Sequence, residues 1–88
     1  MLEVSVEIEI SKDARLALFR SNKRVLIASK IKELAADPQA LASNVTKLKG
    51  RAASRLRVQD WRIIFRIENG VLYIDEIEPR GSAYEDRS

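Results

Sequence analysis

Arginine and lysine side chains are concentrated in one part of the sequence, which we call the basic segment. It has seven cations against one carboxylate, Asp60, so its net charge is seven minus one, or +6. Its last four cations are all arginine, whose planar guanidinium suits two-point contacts with phosphate better than the lysine ammonium does. Such a segment can bind an anion and stabilise charge that develops on a phosphate. The segment is KLKGRAASRLRVQDWRIIFR, residues 47–66, with the cations Lys47, Lys49, Arg51, Arg55, Arg57, Arg62 and Arg66.

Alternation of residue types predicts that the arginines share one side of a sheet. Residues 54–58 and 61–67 have the period of two that is typical of strands, joined by a turn at Gln59 and Asp60. Exposed cations on a half-buried sheet are ordinary, which is one interpretation. The other is an anion-binding face, because like charges opposite one another destabilise a sheet by a few tenths to about 1 kcal/mol a pair. The predicted arginine side has Arg55, Arg57, Arg62, Ile64 and Arg66, and the apolar side has Leu56, Val58, Trp61, Ile63, Phe65 and Ile67.

The residue types that are missing exclude several kinds of chemistry. The chain has no cysteine and no histidine, so disulfides, Cys/His zinc sites and Ser-His-Asp triads are excluded. The clustered acids Asp75, Glu76 and Glu78 are expected to alternate in side, which is poor geometry for one metal ion. We therefore expect no metal and no cofactor, and interpret these acids as solvated strand charges or as protection of a sheet edge.

Length and composition indicate a single globular domain spanning residues 1–88. The chain is 45% hydrophobic and 33% charged, with a net charge of +3. No apolar run approaches the roughly 18 residues of a membrane span. The N-terminal sequence has glutamates and no basic region, unlike a secretory signal. These observations predict a cytoplasmic protein.

The order of predicted elements is strand, helix, helix, strand, strand, strand. Ser11 is a plausible N-cap for a helix that ends near Arg20, and a second helix runs from about Lys23 to Ala36, where Asp37 before Pro38 ends it. The dipeptide Asn69-Gly70 predicts a type I′ turn between the last two strands. The strands are predicted at residues 3–10, 54–58, 61–67 and 71–77, and residues 39–50 are a connector anchored by Leu41, Val45 and Leu48.

Helical periodicity also predicts the core. Ile27, Ile31, Leu34 and Ala35 recur at the spacing of one helix face, and the alternation makes Trp61 and Phe65 core aromatics rather than base-stacking ones. The fold class expected is α+β, with two N-terminal helices packed on one face of a mainly antiparallel four-stranded sheet. The arginines would then lie on the open face.

Three runs resemble the RelE/ParE toxin superfamily, and its RelE-type branch in particular: KLKG, then RLRVQDWRIIFRI, then IEPRGSAY. The similarity extends from Lys47 to Tyr84. It implies the toxin of a type II toxin–antitoxin pair, a metal-independent endoribonuclease that inhibits translation by cutting messenger RNA, typically in the ribosomal A site. Its partners would be an antitoxin protein, messenger RNA and the ribosome.

The resemblance also implies roles for single residues. The catalytic positions would be Arg55, Arg57, Arg62, Arg80 and Tyr84, and the remaining cations Lys47, Lys49, Arg51 and Arg66 would bind RNA. Some family members have lysine where this chain has Arg55 and Arg57, and a guanidinium that stays protonated makes a poor base. Proton removal would then fall to Tyr84 or to groups of the substrate and ribosome, or the protein would bind RNA and cut it slowly.

Two other functions stay open on the sequence alone. A ParE-type toxin would use the same fold to inhibit DNA gyrase, although the presence of both Arg80 and Tyr84 at the family spacing argues against it. A non-catalytic module would use the basic face only to bind nucleic acid or an acidic partner.

Overall fold

In the computed structural model, residues 7–79 are described. They form one strand, then the helices, then four more strands. The predictions for residues 1–6, Arg80 and Tyr84 lie outside these residues. Within residues 7–79, no helix has the length and apolar character needed to cross a membrane. The elements are β1 (Glu7–Ile10), α1 (Lys12–Arg20), α2 (Arg24–Ala36), a 3₁₀ helix (Pro38–Asn44), β2 (Val45–Lys47), β3 (Ser54–Val58), β4 (Trp61–Glu68) and β5 (Val71–Pro79).

The strands form one five-stranded mixed sheet in the order β1-β5-β4-β3-β2. β1 runs parallel to β5, and the other neighbours are antiparallel. The predicted α+β class is confirmed, but the predicted count of four strands is wrong. The fifth strand, β2, lies in the predicted connector and pairs with β3, with Val45 opposite Leu56 and Lys47 opposite Ser54. Three residues carry too little periodicity to indicate a strand, so pairing with β3 defines it.

The ends of both helices follow from local sequence. The Ser11 hydroxyl accepts a hydrogen bond from the Ala14 amide at 3.0 Å and donates one to the Asp75 carbonyl at 2.9 Å. One side chain therefore caps α1 and ties its first turn to β5, which confirms the predicted cap. α2 ends at Ala36 and is capped by Asp37, whose carboxylate accepts from the Gln39 amide at 3.2 Å and so starts the 3₁₀ helix.

The core lies between the helices and one face of the sheet. The predicted stripe of α2 is confirmed, since Ile27, Ile31, Leu34 and Ala35 are all buried. These side chains belong to one cluster with apolar residues of the sheet, and Trp61 is half-buried against it as predicted. The helices thus cover one face, and no helix within residues 7–79 packs on the other face, which we call the open face. The sheet residues of the cluster are Leu56, Val58, Ile63, Phe65, Leu72, Ile74 and Ile77.

The β4–β5 hairpin has a tight turn and a bulge. Asn69 and Gly70 both have positive φ, 51° and 78°, as the predicted type I′ turn requires. Further along, Ile64 pairs with Glu76 but Phe65 pairs with Ile74, so Asp75 is an extra residue on β5. The bulge lets Phe65 and Ile74 rejoin the core face together.

Replacing Ile27 with alanine should destabilise the fold by about 2–5 kcal/mol, because it leaves a cavity beneath α2. Val25 on the same helix is 80% exposed, so Val25→Ala should change the free energy of unfolding by less than about 0.5 kcal/mol. Urea denaturation of the two variants measures the difference. Equal losses would mean that α2 does not pack by its predicted face.

Candidate functional site

The pairing register arranges the charged side chains of the open face in rows across three strands. One row has Arg57 on β3, Arg62 on β4 and Glu78 on β5. Neighbouring strands lie roughly 4.8 Å apart, so the three side chains leave the sheet next to one another. Two cations and one carboxylate therefore meet at one end of the open face.

The next row along the sheet has Arg55, Ile64 and Glu76. Ile64 is buried, although it lies on the arginine side. Arg55 is half-buried and Arg57 is exposed. The three predicted catalytic arginines of β3 and β4, Arg55, Arg57 and Arg62, thus lie together on one face.

Acids of β5 compensate much of the positive charge of the basic segment. Glu76 Oε2 lies 3.4 Å from Arg51 Nη2, and Glu78 Oε2 lies 3.9 Å from Arg62 Nη2. Asp75 reaches Arg66, so the bulge brings Asp75 to the open face beside Glu76 instead of alternating with it. β5 lies between β1 and β4, so these acids do not protect an edge. Each of them contacts an arginine, and the +6 of the basic segment overstates the free positive charge.

Arg66 is the most strongly held of these cations. Its Nε donates to Asp75 Oδ2 at 3.0 Å, its Nη1 donates to Glu68 Oε1 at 2.9 Å, and its guanidinium lies 4.3 Å from the centre of the Tyr73 ring. The hydrogen bond to Asp75 is the main reason why the pKa of Arg66 is raised above its ordinary value, with the charges of Asp75 and Glu68 adding to it. These contacts hold the β4–β5 hairpin together and use two of the five N–H donors of Arg66.

Arg55, Arg57 and Arg62 are held far less firmly. Neither Arg55 nor Arg57 has a carboxylate partner among residues 7–79. Arg62 has one long contact to Glu78, and its Nε is buried without a hydrogen-bond partner in the same residues. A buried donor without a partner costs about 1–3 kcal/mol. An added anion therefore gains the most binding free energy by contacting these three arginines.

The other predicted RNA-binding residues are more scattered. Lys47 shares its side of the sheet with Val45, on the face opposite to Arg55. Lys49 lies in the turn before β3 beside Gly50, which has φ of 74°. Arg51, in the same loop, is held by Glu76. The predicted convergence of Arg80 and Tyr84 with the arginines lies outside the described residues.

Comparison with solved structures shows which fold this is. The RelE–RelB complex from Pyrococcus horikoshii matches with 25% identity and a TM-score of 0.74, over 88% of this chain and 97% of that one. The chain has the RelE fold. The RelBE2 complex of Mycobacterium tuberculosis matches with 19% identity and a TM-score of 0.68, over 88% and 100% of the two chains. Isolated Escherichia coli RelE matches with 15% identity and a TM-score of 0.70, over 94% and 95%.

The match to RelE confirms the resemblance that the sequence predicted. No protein-family model matches the chain, and no curated protein matches it significantly in sequence. The likeness to RelE therefore rests on structure and on the runs quoted above.

On this RelE fold, sequence reasoning missed Glu78 and Tyr73 as neighbours of the arginines. Both come from β5, and Tyr73 is the residue beneath the Arg66 guanidinium. The acids of β5 were visible in the sequence, but counting back from the Asn69-Gly70 turn without a bulge pairs Arg62 with Ile77. Only the bulge brings Glu78 opposite Arg62.

Arg66→Ala should lower the midpoint of urea denaturation, because it removes two carboxylate contacts and a stacked ring. Arg57→Ala should leave the midpoint unchanged or raise it, since it removes like charge from beside Arg62. Both are arginine-to-alanine changes on the open face, so each controls for the other. High salt should reduce the difference between the denaturation midpoints of the two variants, because it screens the ion pairs. A larger loss from Arg57→Ala would contradict this division of roles.

Proposed function

We propose that this chain is the toxin of a type II toxin–antitoxin pair and acts as a metal-independent endoribonuclease on messenger RNA. The observation that carries the proposal is the group of Arg55, Arg57 and Arg62 on the open face of a RelE fold, with the Glu78 carboxylate in the row of Arg57 and Arg62. The resemblance adds the ribosomal A site as the place of cleavage.

The arginines bind and stabilise the phosphate. Arg57 and Arg62 leave adjacent strands at directly opposed positions, so one phosphate can accept hydrogen bonds from both guanidinium groups. Binding the phosphate places an anion between two like charges and relieves their repulsion. Arg55, two residues along β3, lies beside them for the neighbouring backbone phosphate. As the scissile phosphate gains charge during reaction, the same donors stabilise it more strongly.

Glu78 is the proton acceptor in this mechanism. The 2′-hydroxyl oxygen attacks the adjacent phosphorus and its proton passes to a Glu78 oxygen. The bond from phosphorus to the 5′-oxygen breaks, and this oxygen takes up a proton, which leaves a 2′,3′-cyclic phosphate and a 5′-hydroxyl end. A carboxylate fits this role where guanidinium groups do not, because it can accept a proton.

Geometry favours Glu78 over the other acids of β5. Its contact with Arg62 is 3.9 Å, longer than those of Glu76 with Arg51 and of Asp75 with Arg66. It is also the acid in the row of Arg57 and Arg62. When the scissile phosphate binds to those guanidinium groups, the 2′-hydroxyl of the adjacent ribose therefore lies near the Glu78 carboxylate.

Arg80 and Tyr84 complete the mechanism by resemblance. Arg80 would add a further guanidinium to the phosphate, and Tyr84 would supply the proton to the 5′-oxygen or stack on a base. Lys49, Arg51 and Arg66 would extend the contact with the RNA backbone, whereas Lys47 lies on the face opposite to Arg55 and would not reach it.

The antitoxin is the proposed protein partner. The Mycobacterium tuberculosis structure is a toxin–antitoxin complex, and the Pyrococcus horikoshii structure is a RelE–RelB complex. The cations of the basic segment suit an acidic, partly disordered segment that folds on binding. The free toxin would act on ribosomes and messenger RNA only when this partner is missing.

Glu78→Gln should slow RNA cleavage by about 10²–10⁴-fold, because the amide cannot accept the proton. RNA binding should stay the same or tighten, since a negative charge near the phosphate is lost. Glu76→Gln is the matched control, one row away on the same strand, and should change the rate by only a few-fold. Primer extension on a reporter message in a translating extract measures cleavage. Equal effects of the two variants would remove Glu78 from the mechanism.

Arg62→Ala should reduce cleavage by about 10²–10³-fold, as expected for loss of one donor that stabilises the reacting phosphate. The same assay with Arg80→Ala and Tyr84→Phe tests the residues carried over from the family.

If the wild-type chain stops growth while translation and messages stay intact and DNA supercoiling changes, the ribonuclease function is wrong and the ParE-type function takes its place.

A further inference from the structure

A guanidinium group lies over an aromatic ring on the open face, close to the Asn69-Gly70 turn. The Arg66 guanidinium is 4.3 Å from the centre of the Tyr73 ring, and hydrogen bonds of 3.0 Å to Asp75 and 2.9 Å to Glu68 hold its edge. We call these four residues the Arg66 stack. The Arg66 side chain is still 34% exposed. Because Tyr73 covers one side of the guanidinium, the opposite side is the one that is open to a ligand.

The local charge of the Arg66 stack differs in sign from that of the phosphate-binding row. Arg66 contributes one positive charge and its two carboxylate partners two negative ones, a net charge of one minus two, or −1. Glu9, which is exposed on β1 opposite Tyr73, adds a further negative charge to the same face. The row of Arg62 has two arginines and one glutamate, a net charge of two minus one, or +1. A phosphate therefore prefers that row, and an uncharged group is favoured at the Arg66 stack.

An unpaired RNA base is an uncharged group whose chemistry fits. Bases stack on arginine guanidinium planes, and their edges form hydrogen bonds with neighbouring side chains. Glu68 uses Oε1 for Arg66, whereas its Oε2 has no hydrogen-bond partner within residues 7–79 and the side chain is 50% exposed. An ionised carboxylate only accepts hydrogen bonds, so this oxygen can accept from the exocyclic amino group of adenine, cytosine or guanine. Uracil has no amino group, and its one edge donor lies between two carbonyl oxygens that a carboxylate repels.

The distance between Arg66 and the phosphate-binding row makes the base a flanking one. Arg62 and Arg66 are four residues apart on the same side of β4, so their backbones lie roughly 13 Å from each other. Ile64 lies between them and is buried. An RNA strand whose scissile phosphate contacts Arg62 therefore reaches the Arg66 stack with a nucleotide that flanks the cleaved bond.

We propose that the Arg66 stack is a base subsite of the ribonuclease, which takes an amino-bearing base beside the cleaved bond and selects against uracil. The inference rests on the proposed function and gives Arg66 a role in specificity in addition to its contact with the backbone. The two acids weaken any phosphate contact of Arg66, so stacking is its larger contribution. The ion pairs place the guanidinium before RNA arrives, and this preorganisation lowers the entropy cost of binding.

The first test compares Arg66→Lys with Arg51→Lys. Each change keeps the charge of an arginine that is paired with a glutamate, but only Arg66 lies over a ring. Messages cut in a translating extract are sequenced to map the cleaved ends, and urea denaturation verifies that the variants are folded. We expect wild type to cut sites with uracil at one flanking position about 10-fold less often than sites with other bases there. Arg66→Lys should lose this bias, and Arg51→Lys should keep it.

A second pair of variants separates the hydrogen bond from the stacking. Glu68→Gln replaces the carboxylate with an amide, which donates as well as accepts and so can pair with the carbonyl oxygens of uracil. The bias against uracil should therefore fall in this variant. Glu76→Gln is the matched control, because Glu76 pairs with Arg51 away from the ring, and it should keep the bias of wild type.

The possible results distinguish the subsite from the ribonuclease function. If wild type cuts no message, the proposed function is wrong and the subsite is wrong with it. If wild type cuts messages without a bias against uracil, or with a bias that Arg66→Lys keeps, only the subsite is wrong. A bias that is lost equally in Arg66→Lys and Arg51→Lys would depend on arginines in general and would also overturn the inference.

Discussion

The pairing of β4 with β5 is the contact on which the rest of the structure depends. On one side of this pair, Ile63 and Phe65 meet Ile77 and Ile74, and these four side chains belong to the core cluster that also includes the buried stripe of α2. On the other side, Arg62 meets Glu78 and Arg66 meets Asp75. The same register therefore sets both the core and the charge pattern of the open face. The bulge at Asp75 keeps apolar residues paired on the core face and charged residues paired on the open face.

Opposite charges from two strands turn a uniformly basic segment into a patterned surface. Arg51 and Arg66 are held by acids of β5, whereas Arg55 and Arg57 have no such partner within residues 7–79. A cation that is already paired must exchange one partner for another before it binds a ligand, so its net gain is small. The unpaired arginines give up no existing ion pair, so the whole free energy of their contact with the ligand contributes to binding. Position relative to β5, more than the number of cations, decides where an anion binds.

The sequence predicted those features that depend on neighbouring residues. The Ser11 cap, the end of α2 before Pro38, the Asn69-Gly70 turn and the buried stripe of Ile27 and Ile31 each follow from a few adjacent positions. β2 and the bulge at Asp75 could not be predicted, because both arise from pairing with a distant strand. The arginines were found from their alternation. Glu78 was missed as their neighbour because one extra residue in β5 shifts every pair beyond it.

The parallel pairing of β1 with β5 fixes when this domain can fold. The first described strand joins the last one, and the hydrogen bond from Ser11 to Asp75 spans 64 residues of chain. Such distant contacts form slowly and need both segments to be present. During synthesis the basic segment emerges before β5, at a time when β1 has no partner and Arg62 has no Glu78 beside it. A nascent chain therefore displays the cations without the assembled sheet, and the complete open face appears only after β5 has left the ribosome that made it.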